Sequence, residues 1–121
     1  MLTESQILTA LRDCFDLETK LNLVDLGAIY AVETGPDPDS VPAWPRQWVK
    51  VAMTLPKQDS PANGLVLEQV SNRLAGIPDV SKVEVSLVWE PEWTPRRITD
   101  AGRRQLGIQA GLVSISSPKA T

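Results

Sequence analysis

The fold is decided by one stretch of eight residues, Trp48-Val49-Lys50-Val51-Ala52-Met53-Thr54-Leu55. Every second side chain from Val49 to Leu55 is apolar, and this period of two predicts a β-strand with one face in the core. Thr54 falls on the opposite face, so we expect its hydroxyl near the start of the helix that follows. The other elements can be placed outward from this strand.

A helix and then another strand come next along the chain. Ser60 is predicted to be the N-cap and Pro61 the first helical residue, because both residue types are favoured at those positions. The helix is expected to end at Gly76. Residues 82–88 alternate again, with inward side chains Val83, Val85 and Leu87. A helix that crosses from one strand to the next makes the two strands parallel.

The N-terminal part of the chain predicts a helix, a strand and a long loop. Thr3 or Ser5 can cap the helix. One face of the helix carries apolar side chains at helical spacing, namely Ile7, Leu8, Leu11, Cys14 and Phe15. Cys14 is therefore expected in the core. Residues 28–33 are predicted to form a strand. The prolines from Pro36 to Pro45 predict a surface loop that carries Trp44. Because this loop joins the first two strands, the strands are expected to be antiparallel.

The C-terminal part completes the predicted domain. Thr94 or Thr99 is predicted to start a third helix that ends near Gly107. Residues 1–108 are predicted to form one domain and residues 109–121 a flexible C-terminal tail. The order helix-strand-strand-helix-strand-helix predicts an α+β fold, a two-layer sandwich around a small mixed sheet. The second sheet face also needs a cover, which either the helices or a second subunit in a homodimer would supply.

The composition limits the chemistry. The 121 residues include one cysteine and no histidine, which excludes histidine catalysis, histidine metal ligation and a multi-cysteine zinc site within one chain. The net charge of −3 argues against nucleic acid or an anionic membrane as the main partner. The first residues lack a basic region followed by an apolar run, and no apolar stretch is long enough to span a bilayer, so a cytoplasmic location is expected.

Two tryptophans flank a proline corner after the third strand. The sequence there is Leu87-Val88-Trp89-Glu90-Pro91-Glu92-Trp93-Thr94-Pro95. Proline fixes the backbone and ends the strand, so both rings are held at defined angles. They form either a cap on the core or a binding site. Trp89 continues the inward alternation and is predicted to be core, whereas Trp93 is predicted to be recognition surface. Glu90 and Glu92 are expected to form exposed ion pairs with Arg96 or Arg97.

Other polar residues offer weaker candidates. The predicted helix start at Ser60 suits an anion, but a serine without a nearby base is a poor nucleophile, so plain capping is favoured and no catalytic residue is predicted. Asp25 precedes a glycine and is expected to accept hydrogen bonds in a tight turn. Asp16 and Glu18 are expected to be solvated or to cap turns.

An ordered set of motifs resembles the PaaD/SufT-type iron–sulfur cluster assembly domain family. The matching pieces are Val24-Asp25-Leu26-Gly27-Ala28-Ile29-Tyr30, Met53-Thr54-Leu55, Ser60-Pro61, the segment from Leu87 to Pro95, and Leu106-Gly107-Ile108. The resemblance covers about residues 4 to 108. The chain departs from the family in having Ser60-Pro61 where members commonly have a cysteine-proline pair, and Asp16-Leu17-Glu18 where they often have aspartate-proline-glutamate.

The resemblance implies an α+β fold and an accessory role in iron–sulfur cluster assembly or the maturation of metalloproteins, through contacts with iron–sulfur assembly proteins or apo-target proteins. It implies a pocket lined by Asp25, Thr54, Ser60, Trp89 and Trp93. Since the motif cysteine is absent, no stable cofactor and no metal site are expected, and a cluster would be held only transiently. The alternative is a small-molecule or anion-binding module, or an accessory subunit of a multicomponent oxygenase complex.

Overall fold

The computed structural model describes residues 1–113 as three helices and a three-stranded sheet. In chain order the elements are α1 (Glu4–Leu11), β1 (Ile29–Pro36), β2 (Gln47–Met53), α2 (Asn63–Ala75), β3 (Val80–Leu87), a short 3-10 helix (Pro95–Arg97) and α3 (Asp100–Val113). The predicted α+β class and element order are confirmed. The 3-10 helix was not expected from the sequence.

The sheet has the order β1-β2-β3, so the strand that decides the fold is the central one. β1 pairs with β2 antiparallel, and β2 pairs with β3 parallel, as predicted from the proline loop and the crossover helix. The register places Val51 opposite Val32 on one side and opposite Val85 on the other. The apolar positions of all three strands therefore share one face.

The core lies between that face and helices α1 and α2. Val49, Val51 and Met53 are each at most 2% exposed, and they pack with Ile7, Leu11, Val66, Val70 and Leu74 of the two helices. The opposite sheet face carries Glu33, Lys50 and Glu84, which are register neighbours and exposed to solvent. Cover of that face by a second subunit stays a prediction.

Helix α1 is shorter than its apolar pattern suggested. Thr3 caps it, in a reciprocal capping box with Gln6. The helix ends at Leu11, and the chain then turns, with Phe15 forming an isolated bridge to Asn22. Cys14 is fully buried, as expected, whereas Phe15 is 44% exposed and contributes to no helix face. The apolar spacing did not reveal where the helix ends, because Cys14 is buried although it lies beyond the last helical residue.

Helix α2 begins later than predicted, and Ser60 is not its N-cap. The helix starts at Asn63, after Ala62, and no side chain caps it. The hydroxyl of Ser60 instead accepts a hydrogen bond from the backbone N–H of Ala62 at 3.2 Å, which closes a turn before the helix. The side-chain amide of Asn63 donates to the carbonyl oxygen of Lys57 at 2.8 Å and stabilises the same turn.

The C-terminal helix is capped by Thr99, whose hydroxyl accepts from the backbone N–H of Gly102 at 3.1 Å. Of the two predicted starts, Thr99 is correct, and Thr94 precedes the 3-10 helix instead. The helix continues beyond Gly107 to Val113, so the predicted end near Gly107 is wrong. The rest of the predicted tail, residues 114–121, lies outside the described residues, and the division into domain and tail stays a prediction.

Candidate functional site

The proline corner after β3 forms one wall of a groove, which we call the tryptophan groove. Its volume is about 290 Å³, and its lining residues are Leu55, Pro56, Gln58, Trp89, Glu90, Glu92 and Trp93. Both tryptophans are partly buried and pack against the core. The two glutamates are exposed at the rim. The groove therefore combines aromatic walls with an acidic rim.

Contacts distant in sequence hold this corner in place. The indole nitrogen of Trp93 donates to the carbonyl oxygen of Leu26 at 2.8 Å. The hydroxyl of Tyr30 donates to the carbonyl oxygen of Pro91 at 2.7 Å, and the guanidinium of Arg97 lies 4.5 Å above the Tyr30 ring. The groove is thus fixed to the turn and strand at the start of the sheet.

Two expectations for the corner differ from the structure. Trp89 and Trp93 do not separate into core and surface, because both are partly buried and the Trp93 indole is anchored on Leu26. Glu90 and Glu92 form no salt bridge with any described basic side chain. Arg97 stacks on Tyr30 instead. The expected ion pairs are therefore wrong.

Ser60 lies in a second, much smaller depression. Its volume is about 10 Å³, close to the minimum that holds one water molecule, and its lining residues are Asp16, Glu18, Pro56, Lys57, Ser60, Ala62 and Asn63. The Ser60 hydroxyl lies 3.5 Å from Glu18 Oε2, and Lys57 Nζ lies 3.5 Å from Glu18 Oε1. Pro56 lines both this depression and the tryptophan groove. An anion would meet the carboxylates here, so the geometry opposes the anion site expected at Ser60.

Asp25 is buried and joins three segments of the chain. Its carboxylate accepts hydrogen bonds from Arg12 Nη1 at 3.0 Å, from Asn22 Nδ2 at 2.7 Å and from Thr99 Oγ1 at 2.9 Å. Burial raises the pKa of Asp25, but the hydrogen bonds from Asn22, Thr99 and Arg12 and the charge of Arg12 outweigh it, so the pKa is lowered overall. With these partners the carboxylate acts as a structural link and not as a free acid or base.

Thr54 faces the interior. The chain leaves the strand at Met53, so the alternation no longer applies, and both Thr54 and Leu55 are buried. The Thr54 backbone N–H donates to the carbonyl oxygen of Ala28 at 2.9 Å. Its hydroxyl oxygen is buried without a hydrogen-bond partner among the described residues. Thr54 is therefore buried and not on a solvent-facing side of the strand, and the position of its hydroxyl near the Ser60 turn stays a prediction.

The structure brings only two of the five predicted site residues, Trp89 and Trp93, into one groove. Sequence reasoning missed Leu55, Pro56 and Gln58 as lining residues, and it also missed Glu18 as the neighbour of Ser60. The one signal for Glu18 was its place in the segment Asp16-Leu17-Glu18, where the chain departs from the family pattern. No sequence signal marked Gln58.

The described residues do not fit a resident iron–sulfur cluster. Such clusters are held mainly by several cysteine thiolates. Cys14 is fully buried, burial raises the pKa of its thiol, and its Sγ lies 3.7 Å from the carbonyl oxygen of Gln69. Within residues 1–113 no group of three or more histidine, cysteine, aspartate or glutamate side chains could hold a metal ion. None of the helices in this part of the chain has the length and apolar character of a membrane span.

The chain is similar to proteins of one family. Residues 4–87 match the family described as iron-sulfur cluster assembly protein. The Fe-S protein maturation auxiliary factor of Porphyromonas gingivalis is 32% identical over 106 residues, covering 88% of this chain and 92% of the relative. The auxiliary factor YitW of Bacillus subtilis is 30% identical, covering 88% and 95%. The crystal structure of a domain of unknown function, DUF59, from Bacillus anthracis aligns with a TM-score of 0.73 at 26% identity, covering 87% and 92%. The chain therefore belongs to the iron–sulfur cluster assembly protein family.

Proposed function

We propose that this protein is an accessory factor in iron–sulfur cluster assembly or in the maturation of metalloproteins, and that it acts through protein–protein contacts. The observation that carries the proposal is the family match over residues 4–87, together with relatives named Fe-S protein maturation auxiliary factors over nearly their whole length. Its partners would be iron–sulfur assembly proteins or apo-target proteins. The cytoplasmic location stays a prediction from composition.

The tryptophan groove is the surface best suited to such contacts. Trp89 and Trp93 are partly exposed in a groove whose walls are fixed by hydrogen bonds. Tryptophan is among the residues that dominate the energy of protein interfaces, above all where neighbouring groups exclude water. Partly buried aromatic rings on a rigid corner provide that kind of anchor. The groove is open enough for a side chain or two of a partner.

Contacts are favoured over catalysis by the state of the polar groups near the groove. Asp25 is held by three side chains, Asp16 accepts from Thr19 at 2.8 Å, and Ser60 has only the carboxylate of Glu18 and the amide of Ala62 beside it. The Ser60 hydroxyl and the Glu18 carboxylate are 3.5 Å apart, beyond the usual O–H···O hydrogen-bond range, and Glu18 is also paired with Lys57, so this pair is a poor nucleophile and base. The protein would then hold no stable cofactor, and an iron–sulfur cluster would pass through its complexes as cargo.

The alternative functions have less support. An anion or small molecule at Ser60 would need room, and the depression of about 10 Å³ next to Asp16 and Glu18 offers little space. The positive charge of Lys57, which also lines it, is paired with Glu18 at 3.5 Å. The tryptophan groove, at about 290 Å³, is slightly smaller than the 300–1,000 Å³ typical of small-molecule pockets. An accessory role in an oxygenase complex would use the same protein-binding surface.

The test compares iron–sulfur enzyme activity in cells with and without the protein. We expect the specific activity of an iron–sulfur enzyme such as aconitase to fall in the deletion strain under iron-poor growth, while its protein level stays constant. Wild-type protein should restore it. The variant Gln58→Trp fills the groove from an exposed position and should fail to restore the activity. The matched control Glu68→Trp, at an exposed position of α2, should restore it.

Two outcomes would contradict the proposal. Unchanged specific activity in the deletion strain, under both iron-rich and iron-poor growth, would remove the accessory role. Stoichiometric iron and sulfide in the purified protein after anaerobic reconstitution, lost on Cys14→Ser, would show that the chain itself holds a cluster. Urea melts of both tryptophan variants check that each is folded.

A further inference from the structure

The rim of the tryptophan groove carries two negative charges without a counterion. Glu90 and Glu92 flank Pro91 and are both exposed. No basic side chain among the described residues forms a salt bridge with either of them, although Arg97 is only a few residues away and Arg96 lies beside it. The mouth of the groove therefore carries two carboxylates that are free to accept hydrogen bonds from a ligand.

Three other aromatic rings, those of Trp44, Trp48 and Tyr30, already have cations of the same chain beside them. Arg46 lies 4.5 Å from the centroid of the Trp44 ring, and Lys50 lies 5.3 Å from that of Trp48. Arg97 lies 4.5 Å from the centroid of the Tyr30 ring. Within the part of the chain that the structure describes, Trp89 and Trp93 have no such cation. Trp89 and Trp93 share one groove with the carboxylates of Glu90 and Glu92.

These two features select the same kind of ligand. The face of a tryptophan ring attracts a cation within about 6 Å of its centroid, and the attraction grows as solvent is excluded. A carboxylate binds a guanidinium through charge-assisted hydrogen bonds. A positively charged group in the groove would gain both interactions at once. An acidic or purely apolar group would gain neither the carboxylate bonds nor the attraction of the rim.

We propose that the tryptophan groove binds an arginine side chain from a basic segment of a partner protein. This inference rests on the proposed function, since it names the chemistry by which the partner is recognised. Arginine suits the groove better than lysine, because its planar guanidinium can stack on a ring while it bonds to a carboxylate. The net charge of −3 also favours encounter with a basic partner.

The experiment follows the four indole N–H signals of the ¹⁵N-tryptophan-labelled protein during titration with the heptapeptide Gly-Ser-Arg-Gly-Arg-Ser-Gly. Single Trp→Phe variants assign the signals. We expect the signals of Trp89 and Trp93 to shift and those of Trp44 and Trp48 to stay. The same peptide with citrulline in place of arginine, which is neutral and nearly the same shape, should bind about tenfold more weakly or worse. A lysine peptide should fall between the two.

The variant Glu90→Gln/Glu92→Gln should weaken the arginine peptide about tenfold. The matched control is Glu33→Gln/Glu84→Gln, which makes the same change in net charge on the exposed sheet face and should leave affinity within about twofold. Equal binding of the citrulline peptide, or equal weakening by the two double variants, would overturn the proposal. A lysine peptide as tight as the arginine peptide would overturn the choice of arginine.

The outcome separates this inference from the proposed function. If the arginine peptide leaves Trp89 and Trp93 unshifted while the protein still restores iron–sulfur enzyme activity in the deletion strain, the accessory role stands and the arginine site is wrong. If the peptide binds as described but the deletion strain shows normal activity, the arginine site stands and the accessory role is wrong.

Discussion

The indole nitrogen of Trp93 donates a hydrogen bond to the carbonyl oxygen of Leu26 at 2.8 Å, across 67 residues of sequence. Leu26 is fully buried and precedes Gly27 in the turn that leads into β1. This contact attaches the proline corner, which follows β3, to the turn that precedes β1 at the same end of the sheet. The ring that was expected to be free recognition surface therefore also serves stability.

Trp93→Phe should lower the free energy of unfolding by about 1–3 kcal/mol, because it leaves the carbonyl oxygen of Leu26 without its donor while keeping an aromatic ring. Urea melts measure the change. Trp44→Phe is the control, since Trp44 is 52% exposed and should change stability by less than about 0.5 kcal/mol. Equal midpoints for Trp93→Phe and the wild type would show that the hydrogen bond contributes nothing.

Thr54→Val should raise stability by about 1 kcal/mol, because valine keeps the shape and removes a buried hydroxyl that lacks a partner. Thr34→Val is the matched control. The Thr34 hydroxyl donates to the carbonyl oxygen of Trp48 at 2.8 Å and accepts from Gln47 at 2.9 Å, so its removal should be destabilising. A destabilised Thr54→Val protein would mean that the hydroxyl has a partner in solution.

Asp25→Asn should lower stability at pH 7 by about 1–3 kcal/mol, since an amide cannot accept all three hydrogen bonds that the carboxylate accepts. Asp13→Asn is the control, because the ion pair of Asp13 with Arg73 is exposed and worth at most about 1 kcal/mol. Urea melts at pH 7 compare the two variants.

Asp25→Asn should also make the free energy of unfolding depend less on pH in the acid range. The pKa of Asp25 is lower in the folded chain than in the unfolded chain, so its contribution is complete above the ordinary aspartate pKa of about 4 and is lost as pH falls through the folded value. Asp37, whose pKa is lowered by the hydrogen bond from Ser81, contributes in the same direction. Asp25→Asn should therefore reduce the slope below about pH 4 without removing it. An unchanged slope would contradict this assignment.

Gly27→Ala should destabilise the protein by about 2 kcal/mol or more. Gly27 has φ +78°, where other residues are strained, and an added Cβ would lie 2.1 Å from the carbonyl oxygen of Arg97. Gly64→Ala is the control: no atom lies within 4 Å of its added Cβ, and alanine in α2 should stabilise by up to about 1 kcal/mol. Thermal melts of the pair should move in opposite directions. A shared direction would contradict the close approach at Gly27.

The site was only partly accessible to sequence reasoning. The corner carrying Trp89 and Trp93 could be predicted, because its prolines and rings are neighbours in the chain. The grouping of Asp25, Thr54 and Ser60 with them rests on the family resemblance, and none of the three lines the groove. Ser60 lies next to Glu18 across 42 residues, and no local pattern encodes that distance.

The sequence by itself determined the alternating strands, the order of elements, and hence the mixed sheet with β2 at its centre. Side-chain periodicity and proline act within a few residues, so their effects can be predicted from the chain. Only the tertiary structure decided that Trp93 is anchored on Leu26, that Thr54 is buried and that Arg97 stacks on Tyr30 and leaves Glu90 and Glu92 unpaired. Those contacts join residues far apart in sequence, and they exist only once the sheet and helices have packed.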